Sequence, residues 1–316
     1  MNTIWTKKIQ STANSINQHI DLKKKSEDMI CHPKLGHFGR LGNCLFEYAA
    51  VKGLAKLKNS IPVIPEDIYN RIHHEQICGL KYFKVNVTLI SDSQVSSIIN
   101  KFCPDDNGSS LVPFDSNFLN QHADTLLYGH YENTKYFEHI EDEIRKEYQL
   151  IDSVKNEGLL RLSNIKEKYP KDTKLIGIHF RLGDDILMKA FCADKTSWIY
   201  TYIKNALDQF INIKNKAFVC FTGGARTATN DETDVSFFKE FIKEYSTSDF
   251  YFESNDFIID FSMMTQVDDL IIMRHSTFVW WASYLNNNPD KKIFIPKDDP
   301  MMENSEIWTY KNFIPL

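Results

Sequence analysis

An arginine and two aspartates directly follow a short apolar segment in the second half of the chain. Residues 175–180 read Leu-Ile-Gly-Ile-His-Phe, and Arg181, Asp184 and Asp185 come within five positions of their end. A guanidinium keeps its charge and binds phosphate oxygens through two parallel hydrogen bonds. Asp184 could orient Arg181 or accept a proton. A structural ion pair between Arg181 and Asp184, with His179 packed in the core, explains these residues equally well.

Three glycines within seven residues form a second candidate segment. Gly36, Gly39 and Gly42 precede Asn43, where helical spacing of apolar residues begins. Glycine lets the backbone approach a ligand closely and adopt a positive φ, and a helix N-terminus capped by Asn43 would attract a phosphate or a carboxylate. The segment, which includes Arg40, predicts an anion-binding loop. A tight strand-to-helix turn without a ligand has the same pattern.

Two later segments also place small, basic or hydroxyl residues after apolar stretches. Their candidate ligand-binding residues are Gly223, Arg226, Ser276, Thr277 and Phe278. Ser276 or Thr277 can cap a helix whose N-terminus binds an anion, although capping alone explains both residues. An ordinary turn explains Gly223. The adjacent Trp280 and Trp281 are expected to pack in the core.

These residues share one location if the second half of the chain forms a parallel sheet. Apolar segments there alternate with helical patterns, which predicts a doubly wound α/β sheet. The predicted strands are residues 175–180, 216–222, 249–253, 269–273 and 292–295, and the predicted helices are 196–212, 233–245, 256–266 and 277–286. Ligands of such sheets bind beyond the carboxyl ends of the strands. The arrangement suits a nucleotide diphosphate held between two domains.

The first half of the chain is less regular. Its predicted helices are residues 3–27, 43–58, 135–148 and 153–169, and its predicted strands are 29–32, 61–64 and 126–130. This pattern predicts an N-terminal helical leader at residues 1–28, a first domain at 29–165 and a second domain at 166–316.

Composition excludes several classes of protein. The 316 residues carry 37 basic and 42 acidic side chains, a net charge of -5, which argues against a nucleic-acid binder. No apolar stretch is long enough to span a membrane, and no signal peptide is seen. We therefore expect a cytoplasmic location, or a secretory-pathway lumen if the sequence is part of an anchored protein. A metal that binds a diphosphate is often held by an Asp-x-Asp motif at the end of a strand. No such motif is found, since Asp268 and Asp269 begin a strand rather than end one. We therefore expect no metal and no cofactor.

Four segments together resemble the α1,2-fucosyltransferase family. Residues 39–57 (GRLGNCLFEYAAVKGLAKL) resemble its glycine-rich motif, and residues 176–185 (IGIHFRLGDD) resemble the HxRRGDY motif that it shares with α1,6- and protein O-fucosyltransferases. Residues 129–150 and 269–286 resemble its central segment and its late Ser-Ser/Thr-Phe-x-Trp-Trp motif. The motifs occur in family order from about residue 36 to 285.

The resemblance implies a GT-B architecture, with two Rossmann-like domains facing a central cleft. It implies an inverting, metal-independent transfer of L-fucose from GDP-fucose to a glycan hydroxyl, such as O2 of a galactose. The first domain would lie on the acceptor side, and the second would bind the GDP-sugar. Arg181 would stabilise the departing diphosphate, and Asp184, His179 and Glu47, in that order, are the candidate bases.

The sequence departs from the family pattern in ways that keep two alternatives open. Leu182 stands where the family usually has a second Arg, and Cys44 and Glu47 replace two Gln residues of the first motif. The alternatives are a transferase for another GDP-sugar and a catalytically weak relative that binds GDP or a glycan.

Overall fold

The computed structural model describes residues 28–37, 39–73, 76–104, 113–179, 198–221, 242–244, 250–253, 255–272, 276–297, 310 and 313–316. The chain divides between Ile151 and Asp152 into two compact units, each with its own parallel sheet. Within the described residues, no helix is long and apolar enough to cross a membrane. The predicted leader helix lies outside the described residues, and the predicted domain boundaries stay a prediction.

The sheet of the first unit is fully parallel. Its strands are β1 (Met29–Cys31), β2 (Ile61–Pro65), β5 (Thr88–Ile90), β6 (Asn100–Phe102) and β7 (Thr125–Leu127), and a separate antiparallel pair is formed by β3 (Ile72–His73) and β4 (Gln76–Ile77). The strand order is β5-β2-β1-β7-β6. The chain leaves β1 toward β2 and β5 on one side, and β7 lies on the other side of β1. The order therefore reverses between β1 and β7, which is where ligands bind in sheets of this kind.

Helix α1 follows β1 and packs on β1 and β2 of the first sheet. The helices of this unit are α1 (Leu41–Lys58), α2 (Glu66–Asn70), α3 (Asp92–Ser97) and α4 (Glu141–Glu147), with 3-10 turns at Gly79–Tyr82, Ser116–Asn120, Thr134–Tyr136 and Glu138–Ile140. Helix α1 is buried over most of its circumference, from Leu41 to Ala55. At Gly53, an added Cβ would lie 2.1 Å from the Tyr136 carbonyl oxygen, so only glycine admits this close contact.

The second unit has a six-stranded sheet in which all pairs are parallel. Its strands are β8 (Lys174–His179), β9 (Lys216–Phe221), β10 (Phe250–Glu253), β11 (Asp269–Ile272), β12 (Ile293–Ile295) and β13 (Phe313–Pro315), in the order β10-β9-β8-β11-β12-β13. The central strands are apolar on both faces and buried, as parallel strands between helices must be. The strand order reverses between β8 and β11, so the predicted doubly wound parallel sheet is confirmed.

The helices of the second unit pack tightly on this sheet and on each other. They are α5 (Asp152–Lys166), α6 (Trp198–Asp208), α7 (Phe257–Met264) and α8 (Thr277–Leu285), with a 3-10 turn at Ile242–Glu244. Helices α5 and α7 meet at Gly158, where an added Cβ would lie 2.3 Å from Oγ of Ser262. The one hydroxyl hydrogen of Tyr202, on α6, is shared between the carbonyls of Ile272 (2.6 Å) and Phe294 (2.8 Å), which links the ends of β11 and β12.

Asp268 and Asp269 lie at the amino edge of the second sheet. Oδ2 of Asp268 accepts from the Leu175 N–H at 2.7 Å, and Oδ1 of Asp269 accepts from the Lys292 N–H at 2.7 Å. Asp269 is fully buried and pairs with the Lys174 ammonium at 2.5 Å. Both carboxylates therefore tie strand starts together, at the opposite edge from the strand ends where ligands bind.

Several predicted elements differ from the observed ones. The predicted helix over residues 135–148 is wrong at its start, because two 3-10 turns precede α4 and Phe137 leaves helical geometry with φ -143° and ψ 4°. The short strands β5, β6 and β13 were not predicted. Most of the predicted helix over residues 233–245 lies outside the described residues.

Candidate active site

The end of β1 begins a buried polar cluster at the switch point of the first sheet. His32 follows β1 directly, is 2% exposed, and donates from Nε2 to the Gly129 carbonyl at 3.0 Å, which joins it to the segment after β7. The pKa of His32 is lowered from 6.5 to about 4, mainly by burial; nearby His130 and Lys34 contribute to this shift, whereas the hydrogen bond to Gly129 opposes it. His32 is therefore a neutral imidazole at physiological pH.

A buried glutamate on α1 holds the start of the glycine loop. The N–H of Gly36 donates to Oε2 of Glu47 at 2.6 Å, and Gly36 has φ 67°, which favours glycine. Burial raises the pKa of Glu47 well above its ordinary value, and the nearby Glu132 carboxylate raises it further, whereas the Gly36 hydrogen bond opposes this. Oε1 of Glu47 lies 3.9 Å from Nδ1 of His130, too far for a hydrogen bond. Since burial also lowers the pKa of His130, both groups favour their neutral forms.

The side chain of Asn43 connects the glycine loop to the segment after β7. Its Nδ2 donates to Oε1 of Glu132 at 2.8 Å and lies 3.1 Å from Nδ1 of His130. Glu132 is 7% exposed, so this hydrogen bond to a carboxylate is largely shielded from water. Hydrogen bonds to a charged partner in such surroundings are among the stronger ones in proteins.

Gly39 is required by the same asparagine. A Cβ added at Gly39 would lie 2.4 Å from Cγ of Asn43 and 2.8 Å from its Oδ1. Helix α1 begins at Leu41, and Arg40 occupies the N-cap position with extended backbone and no side-chain cap. The prediction that Asn43 caps α1 is therefore wrong, because its amide, two residues inside the helix, turns to Glu132 and His130 instead.

The segment that carries His130 and Glu132 has unusual backbone geometry. Tyr131 lies between them with φ 54°, a left-handed conformation that is strained for a bulky residue. The Tyr131 hydroxyl donates to the Phe102 carbonyl at 3.2 Å, and the Tyr131 ring packs edge-on against Tyr136 at 5.0 Å. These core contacts hold the strained residue, and its two polar neighbours remain in the cluster.

A second cluster lies at the switch point of the second sheet. His179, the last residue of β8, pairs in register with Ile272 on β11 and with Phe221 on β9. The chain from Ile272 reaches Ser276 four residues later, where α8 begins. The strand ends of β8, β9 and β11 thus lie side by side at the carboxyl edge of the sheet.

Helix α8 begins next to Ser276, which does not cap it. Ser276 occupies the N-cap position and is 5% exposed, but its hydroxyl accepts no hydrogen bond from the first turn. The capping role predicted for Ser276 is therefore wrong. The N–H groups of a first helical turn have no partner within the helix and carry about half a positive charge together. Such a terminus can bind an anionic oxygen.

Aromatic packing fixes α8 against the sheet. The Phe278 ring lies 6.0 Å from the His179 ring and 5.2 Å from the Phe261 ring. Trp280 and Trp281 are 1% and 0% exposed and contact each other at 5.1 Å, edge to face. The predicted core packing of the tryptophans is confirmed, and it makes the N-terminus of α8 a rigid feature of the edge.

Comparison with known proteins identifies the family. The model of glycosyl transferase family 11 matches residues 5–314, nearly the whole chain. The chain belongs to glycosyl transferase family 11. Both the predicted family and the prediction of a glycosyltransferase are confirmed.

Mammalian members of the group provide sequence relatives of this family 11 chain. Galactoside alpha-(1,2)-fucosyltransferase 2 of Mus musculus is 24% identical over 271 residues, which cover 79% of this chain and 67% of the mouse protein. The enzyme of the same name from Hylobates lar is 25% identical over 292 residues, which cover 82% of this chain and 74% of that protein.

A solved structure shows the same fold. The crystal structure of POFUT1 in its apo form matches the family 11 chain with a TM-score of 0.50 at 11% sequence identity, covering 85% of this chain and 98% of that one. With a parallel sheet in each unit, this likeness confirms the predicted GT-B fold class.

The predicted site residues that the structure describes lie in two groups, one at each switch point. Those at the first switch point are Gly39, Arg40, Gly42, Asn43 and Glu47, and those at the second are His179, Ser276, Thr277 and Phe278. Arg181, Asp184, Gly223 and Arg226 lie outside the described residues, so their roles stay predictions. Among the described residues, no group of three or more His, Cys, Asp or Glu side chains could hold a metal ion.

Three residues of the first cluster were not predicted as site residues. These are the buried His32 and Glu132 and the mostly buried His130, which lie after β1 and β7. His32 follows β1 directly, which is a signal that the sequence offered. His130 and Glu132 lie three and five residues after the end of β7, and no such signal marked them.

Proposed function

We propose that this chain is an inverting, metal-independent fucosyltransferase that moves L-fucose from GDP-fucose to a hydroxyl of a glycan, such as O2 of a galactose. Membership of family 11 and similarity to galactoside alpha-(1,2)-fucosyltransferases support the donor and the acceptor class. In this reaction, the acceptor hydroxyl attacks the anomeric carbon, the bond from that carbon to the β-phosphate oxygen breaks, and GDP leaves with the added negative charge.

The observation that carries this proposal is that the N-terminus of α8 lies beside the end of β8, where the Phe278 ring packs on His179. Arg181 follows His179 by two positions in the sequence, and we propose that its permanent positive charge acts together with the N–H groups of the first turn of α8. Both stabilise an anion, and the charge that develops on the leaving diphosphate is what they would stabilise most. Gly223, Arg226, Thr277 and Phe278 are proposed as further donor contacts.

The geometry favours a supporting role for Glu47 over a role as base. Glu47 is 1% exposed, its Oε2 is bonded to the Gly36 N–H, and burial favours its protonated form. A base must be ionised and within reach of the hydroxyl that it deprotonates. Glu47 therefore holds the glycine loop, while Asp184 and then His179 remain the proposed bases. Gly39, Arg40, Gly42 and Asn43 are proposed as donor contacts on that loop.

The central test is the Arg181→Ala variant with a matched arginine control. Loss of one preorganised charge partner of the leaving group lowers turnover by on the order of 10² to 10³. The control is Arg161→Ala, which removes an exposed guanidinium that pairs with Glu157 on α5 at 2.9 Å. We expect Arg161→Ala to retain turnover. Near-normal fucosyl transfer by Arg181→Ala would refute the assignment.

The donor, the metal requirement and the stereochemistry are tested separately. In thermal-shift measurements we expect GDP to stabilise the protein more than UDP, ADP or CDP, because a ligand that binds only the folded state raises the melting temperature. Activity should persist in EDTA, and the product should carry fucose with inverted anomeric configuration by NMR. Faster transfer from another GDP-sugar would reassign the donor, and GDP binding without any turnover would indicate a non-catalytic relative.

A further inference from the structure

The hydrogen-bond network behind the glycine loop assigns a role to a residue outside the predicted site. We propose that Glu132 is a positioning residue, which fixes the side-chain amide of Asn43 so that the glycine loop is held in its binding geometry. This inference rests on the proposed function, in which Asn43 contacts the donor.

The chemistry of the two partners fixes the amide orientation. A carboxylate can only accept hydrogen bonds, so the Asn43 nitrogen, not its oxygen, must face Oε1 of Glu132 at 2.8 Å. The reversed amide would place Oδ1 against a carboxylate oxygen, which is repulsive. Glu132 therefore selects one of the two amide orientations.

His130 supports the same orientation. Nδ1 of His130 lies 3.1 Å from Nδ2 of Asn43, and burial lowers the pKa of His130, so the imidazole is neutral at physiological pH. A neutral imidazole has one accepting nitrogen, and with the proton on Nε2 that nitrogen is Nδ1, which accepts the second amide hydrogen. The asparagine amide is then held by two acceptors at once.

The opposite side of the amide faces the loop. Oδ1 of Asn43 would lie only 2.8 Å from a Cβ at position 39, so the amide packs directly on the Gly39 backbone. A rotation of Asn43 would therefore disturb the loop, and the Glu132 hydrogen bond that prevents it acts on the loop through Asn43. Glu132 is thus a positioning residue rather than a catalytic residue.

The backbone next to Glu132 is strained where Glu132 contacts Asn43. Tyr131, directly before Glu132, has φ 54°, and buried ring contacts with Phe118 and Tyr136 hold it there. Strained residues of this kind persist only where surrounding packing over-determines them, and they concentrate at functional sites. The strain and the Asn43 contact are independent observations on the same segment.

A double-mutant cycle tests the proposal. We expect Glu132→Ala and Asn43→Ala each to lower kcat/KM for the donor by about 10-fold to 100-fold, since each removes a buried hydrogen bond to a charged group. The double variant should be no worse than Asn43→Ala alone, because Glu132 acts through Asn43. Glu132→Gln should remain within a few-fold of the wild type, because its amide oxygen accepts the same hydrogen bond.

A matched control separates positioning from stability. Glu147 pairs with Lys52 on another part of α1 at 2.5 Å and lies outside the cluster. Glu147→Ala should lower the melting temperature without changing kcat/KM for the donor. If Glu132→Ala does not fold, a second variant replaces it in the test. This variant combines Asn43→Asp with Glu132→Gln and so exchanges the amide and the carboxylate between the two positions. Asn43→Asp alone should lose activity through carboxylate repulsion, and the added Gln should restore at least part of it by donating to Asp.

The outcomes distinguish this proposal from the proposed function. A wild-type enzyme that transfers fucose, with Glu132→Ala at the wild-type kcat/KM or with multiplicative losses in the double variant, would overturn the positioning role alone. A wild type without fucosyl transfer would overturn the proposed function. In that case the denaturation midpoints of the same four proteins still test the contact, and additive shifts would overturn the Asn43–Glu132 coupling.

Discussion

Protonation of His32 should make the first unit sensitive to acid. His32 is 2% exposed at the end of β1, and burial lowers its pKa to about 4 in the folded chain, whereas it is about 6.5 in the unfolded chain. A folded-state pKa below the unfolded value means that the unfolded chain binds the proton first. Stability is therefore complete above pH 6.5 and is lost as the pH falls toward 4.

The size of the effect follows from the two pKa values. Each pH unit inside this window costs about 1.4 kcal/mol, so a change from pH 7.5 to pH 5.0 removes about 2 kcal/mol through His32 alone. Proteins are commonly stable by about 5 to 15 kcal/mol, so the loss is a substantial fraction of the total.

The assay compares the wild type with His32→Gln at both pH values. The urea dependence of amide hydrogen exchange in peptides from α1 gives the free energy of unfolding of the first unit. The substitution removes the contribution of the imidazole to the pH dependence of the free energy of unfolding. Any change in stability that is the same at both pH values cancels in the comparison. We therefore expect the wild type to lose about 2 kcal/mol more than His32→Gln between the two pH values.

The exposed His122 provides the control. His122→Gln should lose as much stability as the wild type between pH 7.5 and pH 5.0, because an exposed imidazole is hydrated in both states. An equal loss in the wild type and in His32→Gln would refute the reasoning, since it would mean that His32 takes up its proton equally well in the folded chain.

Two further substitutions test the loop and the amino edge of the second sheet. Gly39→Ala should displace Asn43, whose Cγ would lie 2.4 Å from the new Cβ, and lower kcat/KM as much as Asn43→Ala does. It should also lower the melting temperature, because the buried hydrogen bond from Asn43 to Glu132 is lost. Unchanged turnover would contradict the packing argument. Asp269→Ala should cost about 1 to 3 kcal/mol, because it removes the buried acceptor of the Lys292 N–H and the carboxylate that pairs with the partly exposed Lys174 ammonium. Turnover per folded molecule should be unchanged. The control is Asp290→Ala at an exposed position, which should change the free energy of unfolding, measured by urea denaturation, by almost nothing. Equal losses in the two variants would show that the contacts of Asp269 do not contribute to stability.

The parallel sheet of the second unit was predictable because its strands are buried on both faces. Residues 175–180 and 216–222 are nearly continuous apolar stretches, and β8 and β9 occupy them to within one residue at each end. The three-residue strands β5 and β6 were missed, because strands so short and only partly buried have little periodic signal.

The helix predicted over residues 135–148 shows how tertiary contacts override local pattern. Tyr136 packs its backbone on α1 at Gly53, and Nε2 of the His139 ring donates to the Gly53 carbonyl at 3.0 Å. These contacts with a distant helix favour two 3-10 turns where the sequence pattern suggests one regular helix. A pattern of apolar spacing contains no information about such partners.

The candidate site divides in the same way. The glycine loop and the strand ends of the second sheet were predictable from residue types, since glycine, arginine and strand-end hydroxyl residues have narrow structural and chemical roles. Asn43 was placed near the right location but in the wrong role, because its hydrogen-bond partners are 87 and 89 residues away in the sequence.

The amino-acid sequence by itself determined the family, the glycosyltransferase chemistry and the alternation of strands and helices, because motifs and apolar spacing are local properties of the chain. Only the tertiary structure decided that Glu132 and His130 meet Asn43, that Glu47 is buried, and that Ser276 does not cap α8. These contacts depend on which residues, far apart in the sequence, come together when the chain folds and excludes water from its interior. That exclusion sets both the hydrogen-bond partners and the pKa values of a buried site.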